Sequence, residues 1–312
     1  MTLWKGILKA DPRFCTQPKE FWANVRTISQ EVGYTERGAN SVKIPSLKAI
    51  RNEFGRLGLN TAHIASADNT LSEFGQRLFD YFIFRASVLN DTVQSHLMNR
   101  ESAEVEFNRL RGQLNPRCQL PMNKQKAEKK NYAFLTGIVN MLVEANICGA
   151  PCNYDPRSLT TTTHNSMPLR TLSRRVDGAF PSVVNPIAIW EIKEYYYTTT
   201  FGSRVADGVY ETLLDGMELE ELQVASQRKI QHVLFIDDHF TWWKCGRSYL
   251  CRIIDMLHMG YVDEVVFGRE VLSRLPELAR EWKAAYDTLE KPQNTKAPSA
   301  GSDQNKNRIR SF

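Results

Sequence analysis

The apolar run Ile187-Ala188-Ile189-Trp190 closes on Glu191-Ile192-Lys193, and that ending constrains the fold more than any other stretch of the chain. Apolar runs of this kind read as strands, and few end in a carboxylate and an ammonium two residues apart. Side chains alternate faces along a strand, so Glu191 and Lys193 share one face and Ile192 points the other way. Upstream, Arg174-Arg175-Val176-Asp177-Gly178 sits where a neighbouring hairpin strand brings Asp177 alongside. Two carboxylates and a lysine then converge at a sheet edge.

That trio suits phosphodiester cleavage. The reaction needs an activated water, an offset to charge developing on the phosphate, and a stabilised leaving oxygen. Mg²⁺ serves all three when two carboxylates leave room for water and substrate oxygens. Asp177 and Glu191 supply the carboxylates, and the backbone carbonyl of Ile192 a further oxygen. Lys193 orients the attacking water or steadies the phosphate. Gly178 relieves crowding after the metal ligand. The plainer alternative is an edge salt bridge between Glu191 and Lys193, worth little.

Around this pair the periodicity changes. Residues 1–131 read as mainly helical: 20–32, then about 46–57, 71–98 and 101–114. Leu47, Ile50, Phe54 and Leu57 form an apolar stripe, opposite a face carrying Lys48, Arg51, Asn52 and Arg56. That basic face suits a phosphate backbone. The turn between residues 32 and 45 is too long for an ordinary helix-turn-helix, and a solvated basic face is the simpler reading. Residues 115–131 break both periodicities and read as a linker or a backbone-touching loop.

From 132 onward the order is an amphipathic helix (132–146, with Phe134, Ile138, Met141, Leu142 and Ala145 as its stripe), three strands, a helix, and a strand. The strands fall near 160–163, 172–180 and 187–197. The helix over 204–230 is expected to break near Gly216. The short buried strand Val233–Ile236 ends in Asp237-Asp238-His239, residues typical of strand-end turns. Helices at 246–258 and 270–289 and a strand at 262–267 complete an α/β unit, a mixed sheet covered by helices. Residues 290–312 are polar and expected to be a disordered tail.

Charge divides along the chain. Residues 1–131 carry 20 Lys and Arg against 13 Asp and Glu, while 132–289 carry 15 against 20. A basic half that meets phosphates and an acidic half that holds cations fit this split, although solvated faces differ by chance too. No run reaches the roughly 18 apolar residues of a membrane span. The first residues lack a signal-peptide pattern, so a soluble intracellular protein is expected. The six cysteines match no common zinc spacing and are expected as buried free thiols. Neither a Walker-type glycine loop nor a Gly-x-Ser-x-Gly elbow occurs, which argues against nucleotide hydrolysis and serine-hydrolase chemistry.

The helix, the Asp177 strand, the Glu191-Ile192-Lys193 strand and the helix–strand unit after them resemble the PD-(D/E)XK nuclease superfamily, whose best-known members are type II restriction endonucleases. Asp177 matches the motif aspartate, Glu191 the (D/E) and Lys193 the lysine; Val176 stands where many members have proline. The resemblance covers roughly residues 132–240. It implies a restriction-endonuclease-like core and a Mg²⁺-dependent endonuclease acting on double-stranded DNA. It also offers Glu144, on the preceding helix, as an extra acidic ligand. Arg174 or Arg175 then suits the scissile phosphate, and Tyr196, in the run Tyr195–Thr200, suits the nucleic-acid backbone or a base. A palindromic target would call for a homodimer. Two other roles fit the residues: a nuclease of repair, phage defence or mobile-element processing, and a non-catalytic DNA-binding protein.

Overall fold

A computed structural model describes residues 8–36, 38–125, 128–197 and 202–290. Its first region is helical. After a two-residue strand β1 (Leu8–Lys9) come α1 (Pro12–Cys15), α2 (Lys19–Val32), α3 (Leu47–Arg56), α4 (Glu73–Ser87), α5 (Gln94–His96) and α6 (Arg100–Leu114). A π-helical turn over Val88–Val93 joins α4 to α5, so the long helix expected at 71–98 exists with a bulge in it. The starts of α3, α4 and α6 are set by Ser46, Ser72 and Asn99, whose side chains accept backbone N–H groups. Ile50 and Phe54 of α3 bury in one cluster with Phe21 and Val25 of α2 and Leu78 and Tyr81 of α4. Leu57 falls just past the end of α3 and is exposed.

Residues 115–131 are not merely a linker. They contain a hairpin, β2 (Met122–Gln125) against β3 (Glu128–Tyr132), with a register shift between Asn123 and Lys124. Lys126 and Ala127, at its turn, lie outside the described residues, as do Thr198–Thr200 and the expected tail from 291 onward.

Next come α7 (Phe134–Asn146), a separate hairpin of β4 (Thr161–His164) and β5 (Met167–Thr171), then β6 (Gly178–Phe180) and β7 (Ala188–Glu194). They are followed by α8 (Ser203–Ser226), β8 (Gln231–Asp237), α9 (Arg247–His258), β9 (Glu264–Phe267) and α10 (Val271–Glu290). The main sheet runs β1-β9-β8-β7-β6. β6 is antiparallel to β7; β7, β8 and β9 are parallel; β1 closes antiparallel on β9. The α/β class and the mixed sheet flanked by helices are therefore present. Of the three strands expected before α8, only the last two join this sheet.

Alternation divides the sheet's two faces. Ala188, Trp190, Ile192, Val233, Phe235 and Val266 pack with α7 and α10, where Trp190 stacks on Trp282 at 5.4 Å. Leu234, Ile236, Val265 and Phe267 pack the other face with α8, α9 and the buried pair Trp242 and Trp243. Helix α6 sits on the α7 layer, although it precedes the boundary expected at 131. A Cβ on Gly137 would meet the Phe107 ring at 2.4 Å, which shows how closely these helices approach. Ala145, expected on the buried stripe of α7, is exposed near the helix end.

Candidate active site

Asp177 immediately precedes β6. Its N–H donates to the Trp190 carbonyl at 3.1 Å. The register that pairs Gly178 with Trp190, carried one residue further, sets Asp177 across from Glu191. Gly178 is a spatial requirement of its own: a Cβ there would lie 2.0 Å from the Trp190 indole. Room for that ring, rather than for a metal ligand, explains the glycine. Asp177 Oδ2 accepts the Ile192 N–H at 2.7 Å, which ties the two strands at the sheet's open end.

Glu191 and Lys193 point together toward α8, as alternation requires. Lys193 Nζ donates to Glu191 Oε2 at 2.8 Å and to Glu211 Oε2 at 3.2 Å. Arg174 spans the same group, reaching Asp215 Oδ2 at 2.6 Å, Glu191 Oε2 at 3.1 Å and Glu211 Oε2 at 3.3 Å. Glu211 and Asp215 lie one helical turn apart on α8 and so face the strand together. Glu191 and Asp215 are fully buried and Lys193 nearly so. This is not the exposed edge salt bridge of the plainer reading. The same helix shortens β6 relative to the strand expected at 172–180. Glu218 of α8 accepts the Ser173 N–H at 2.9 Å and pairs with Arg170 at 3.3 Å, drawing that segment off the sheet.

Four carboxylates thus meet two cations, with Glu191 and Asp215 buried and Glu211 at the solvent side. Burial, then the charge of Glu191, pushes the Asp177 carboxyl up to about 6 against the opposing pull of Lys193, the Ile192 N–H and Arg174. Burial and Glu191 likewise raise Asp215 to about 7, against Arg174. Burial acts upward on Glu191 as well, but Lys193 and Arg174 outweigh it and hold that carboxyl below its ordinary value. Burial acts downward on Lys193, yet Glu191 and Asp177 hold its ammonium above the usual lysine range. Glu191 is the anion both cations stabilise, and Asp177 is the carboxylate left short of positive charge.

Asp177 also stands where two clefts meet. With Ile192 it borders a cleft of about 1070 Å³ running past Thr136 and Asn140 of α7. On its other side, with Arg174 and Arg175, it borders one of about 650 Å³. Glu191 borders neither cleft, and Arg174 caps it.

A divalent cation fits this donor set in chemistry: hard oxygen ligands, and two facing carboxylates whose repulsion raises one of them. Among the described residues no group of three or more His, Cys, Asp or Glu side chains is placed to hold a metal. An ion here would therefore rest on Asp177 and Glu191, with water, substrate and the Ile192 carbonyl completing the shell.

The remaining sequence-predicted residues scatter. Glu144 accepts the Arg117 N–H at 2.9 Å and does not line the clefts beside Asp177. Tyr196 turns inward, its hydroxyl donating to buried Asp237, so as built it offers no surface to a nucleic acid. Arg174 is engaged by three carboxylates rather than held free for a phosphate, whereas Arg175 is exposed. On α3, Arg51 donates to the Ser66 carbonyl, Arg56 pairs with Glu31 and Glu53, and Lys48 is exposed. Asp238 caps the turn after β8, accepting the Thr241 N–H at 2.9 Å, in line with a strand-end role. The six cysteines are free, but only Cys251 is fully buried; Cys15, Cys148 and Cys245 are exposed, against expectation. Sequence reasoning missed Glu211 and Asp215. Their i, i+4 spacing on the helix after the motif strand was the available signal.

The model of a family described as "Domain of unknown function (DUF7687)" matches residues 98–282, and that of "Domain of unknown function (DUF7690)" matches residues 8–92. No curated protein and no solved structure matches the chain.

Proposed function

We propose that this chain, which belongs to the DUF7687 family, is a Mg²⁺-dependent endonuclease that cuts double-stranded DNA at specific sequences. The reading rests on one juxtaposition. Asp177 faces Glu191 across the β6–β7 hairpin, with Lys193 Nζ 2.8 Å from Glu191 and the cleft open beside Asp177. The β7–α8–β8 crossover behind the hairpin supports the PD-(D/E)XK likeness.

In this reading Asp177 and Glu191 hold the metal. Bound there, Mg²⁺ would offset charge on the phosphate and acidify a water. Lys193 stays protonated, so it serves as a fixed cation toward the phosphate rather than as a base. Glu211 and Asp215 hold Arg174 beside Glu191 and at the border of the cleft. With a metal on Glu191, the Arg174 guanidinium would be available to pair with a phosphate oxygen there.

Phage DNA incubated with the protein and Mg²⁺ tests this. Discrete fragments are expected from the parent. Asp177→Ala and Glu191→Ala should give none, and Lys193→Ala should be slower by about 10²–10³-fold, the cost typical of removing one such charge. Undiminished cleavage by Asp177→Ala would refute the site. A smear would remove sequence specificity and leave a nuclease of repair, phage defence or element processing. DNA binding without any nicking would leave a non-catalytic DNA-binding protein.

A further inference from the structure

A groove of about 300 Å³ lies between α2 on one side and α8 and α9 on the other. It is where the residues matched by the two family models meet: Arg26 and Tyr34 from the first, Tyr210 and Arg252 from the second. Neither of its cations pairs with a carboxylate among the described residues. Arg85, Arg174 and Arg274, at the buried layers, each face a carboxylate within 3.0 Å. Arg252 instead donates to phenols only, to Tyr34 Oη at 3.3 Å and Tyr210 Oη at 3.2 Å. Its guanidinium lies over the rings of Tyr249 at 4.9 Å and Tyr34 at 5.6 Å. Arg26 is exposed, and the hydrogen bond it makes goes to the Met259 sulfur at 3.3 Å, a weak acceptor.

The one acid bordering the groove does not balance them. Asp255 accepts Tyr81 Oη at 2.6 Å and Arg85 Nη1 at 2.9 Å, so its charge is already matched. Two guanidiniums and two phenols therefore border a concave space whose one acid among the described residues, Asp255, is already paired with Arg85. Val209 and Leu213 of α8 give it an apolar wall, and Tyr210, 54% exposed, presents a ring at its mouth.

We propose that this groove binds a mononucleotide, with the phosphate on Arg26 and Arg252 and the base against Tyr210 and the apolar wall. Guanidinium forks match phosphate oxygens, and base–aromatic stacking tolerates any base. The volume stands at the small end of ligand pockets, which fits one nucleotide and excludes a duplex. The site is separate from Asp177, Glu191 and Lys193, and the inference does not depend on the nuclease reading.

Isothermal titration of the full chain with the four nucleoside 5′-monophosphates, with inorganic phosphate and with nucleosides is the test. One site per chain is expected for a monophosphate, with phosphate alone weaker. Arg26→Ala and Tyr210→Ala, both at exposed positions, should each weaken it by about 10-fold, the worth of one charge-assisted bond or one stacked base. Asp177→Ala should bind unchanged. Binding lost in Asp177→Ala but kept in Arg26→Ala would place the ligand at the other site and overturn the proposal. So would absence of binding at millimolar monophosphate, or phosphate binding as tightly as the nucleotides.

Discussion

At the scale of single residues, the site is organised by who shares which cation. Arg174 and Lys193 both serve Glu191, and Asp177 is left with a raised carboxyl near 6. Two opposite consequences follow. For folding, a raised acid contributes stability below its unfolded value and loses it as pH rises through about 6. For the proposed chemistry, the ionised form is the useful one. Protons and Mg²⁺ then compete for Asp177, so the Mg²⁺ concentration for half-maximal cleavage should rise as pH falls below about 6; initial rates against Mg²⁺ concentration across that interval would check this, and a half-maximal concentration independent of pH would exclude Asp177 as a ligand titrating there. The sequence alone made Glu191 and Lys193 legible, because strand alternation is local. It did not show the partners of Arg174 and Tyr196, because these come from α8 and β8, which are distant along the chain. Arg174 reads as a free cation until Asp215, 41 residues later, is placed beside it.

At the scale of elements, most helices were readable from periodicity and caps, and the errors share a cause. Helix α8 runs unbroken through Gly216, where a break was expected from helix propensity. The glycine is there for closeness: a Cβ would lie 2.3 Å from the Tyr261 carbonyl oxygen. Gly216→Ala should thus destabilise the protein by about 1–3 kcal/mol, despite alanine's better propensity, as overpacking does. Chemical denaturation would show it as a lower midpoint; a higher midpoint would mean that α8 and the Tyr261 turn can separate without cost. The charged run before Tyr132 reads as a linker or a backbone-touching loop for a related reason. A two-stranded ribbon draws on backbone pairing between β2 and β3, which leaves little trace in the hydrophobic pattern.

At the scale of the whole molecule, two helical layers sandwich one sheet, and α8 touches both regions of chemistry. One face of α8 carries Glu211 and Asp215 to the strand site, and another carries Val209, Tyr210 and Leu213 to the groove shared with α2. The amino-terminal helices are joined to α9, which covers the sheet, by a buried pair, Arg85 of α4 with Asp255, both nearly inaccessible. None of the described helices is long and apolar enough to cross a membrane.

The two margins of the sheet are treated differently. β6 is three residues long, and Asp177 and Pro181 flank it; short strands and proline discourage further pairing. β9 is four buried residues, and its outer side is occupied by β1, with Leu8 opposite Val265 and Lys9 opposite Glu264. Removing residues 1–9 would strip that cover and leave an apolar Val-Val-Phe ladder open to other chains. The trimmed protein should self-associate as concentration rises, visible by light scattering at concentrations where the parent stays dispersed. If it stays dispersed too, β9 has another guard. Self-association of the trimmed protein would make two residues of strand the molecule's protection against its own copies.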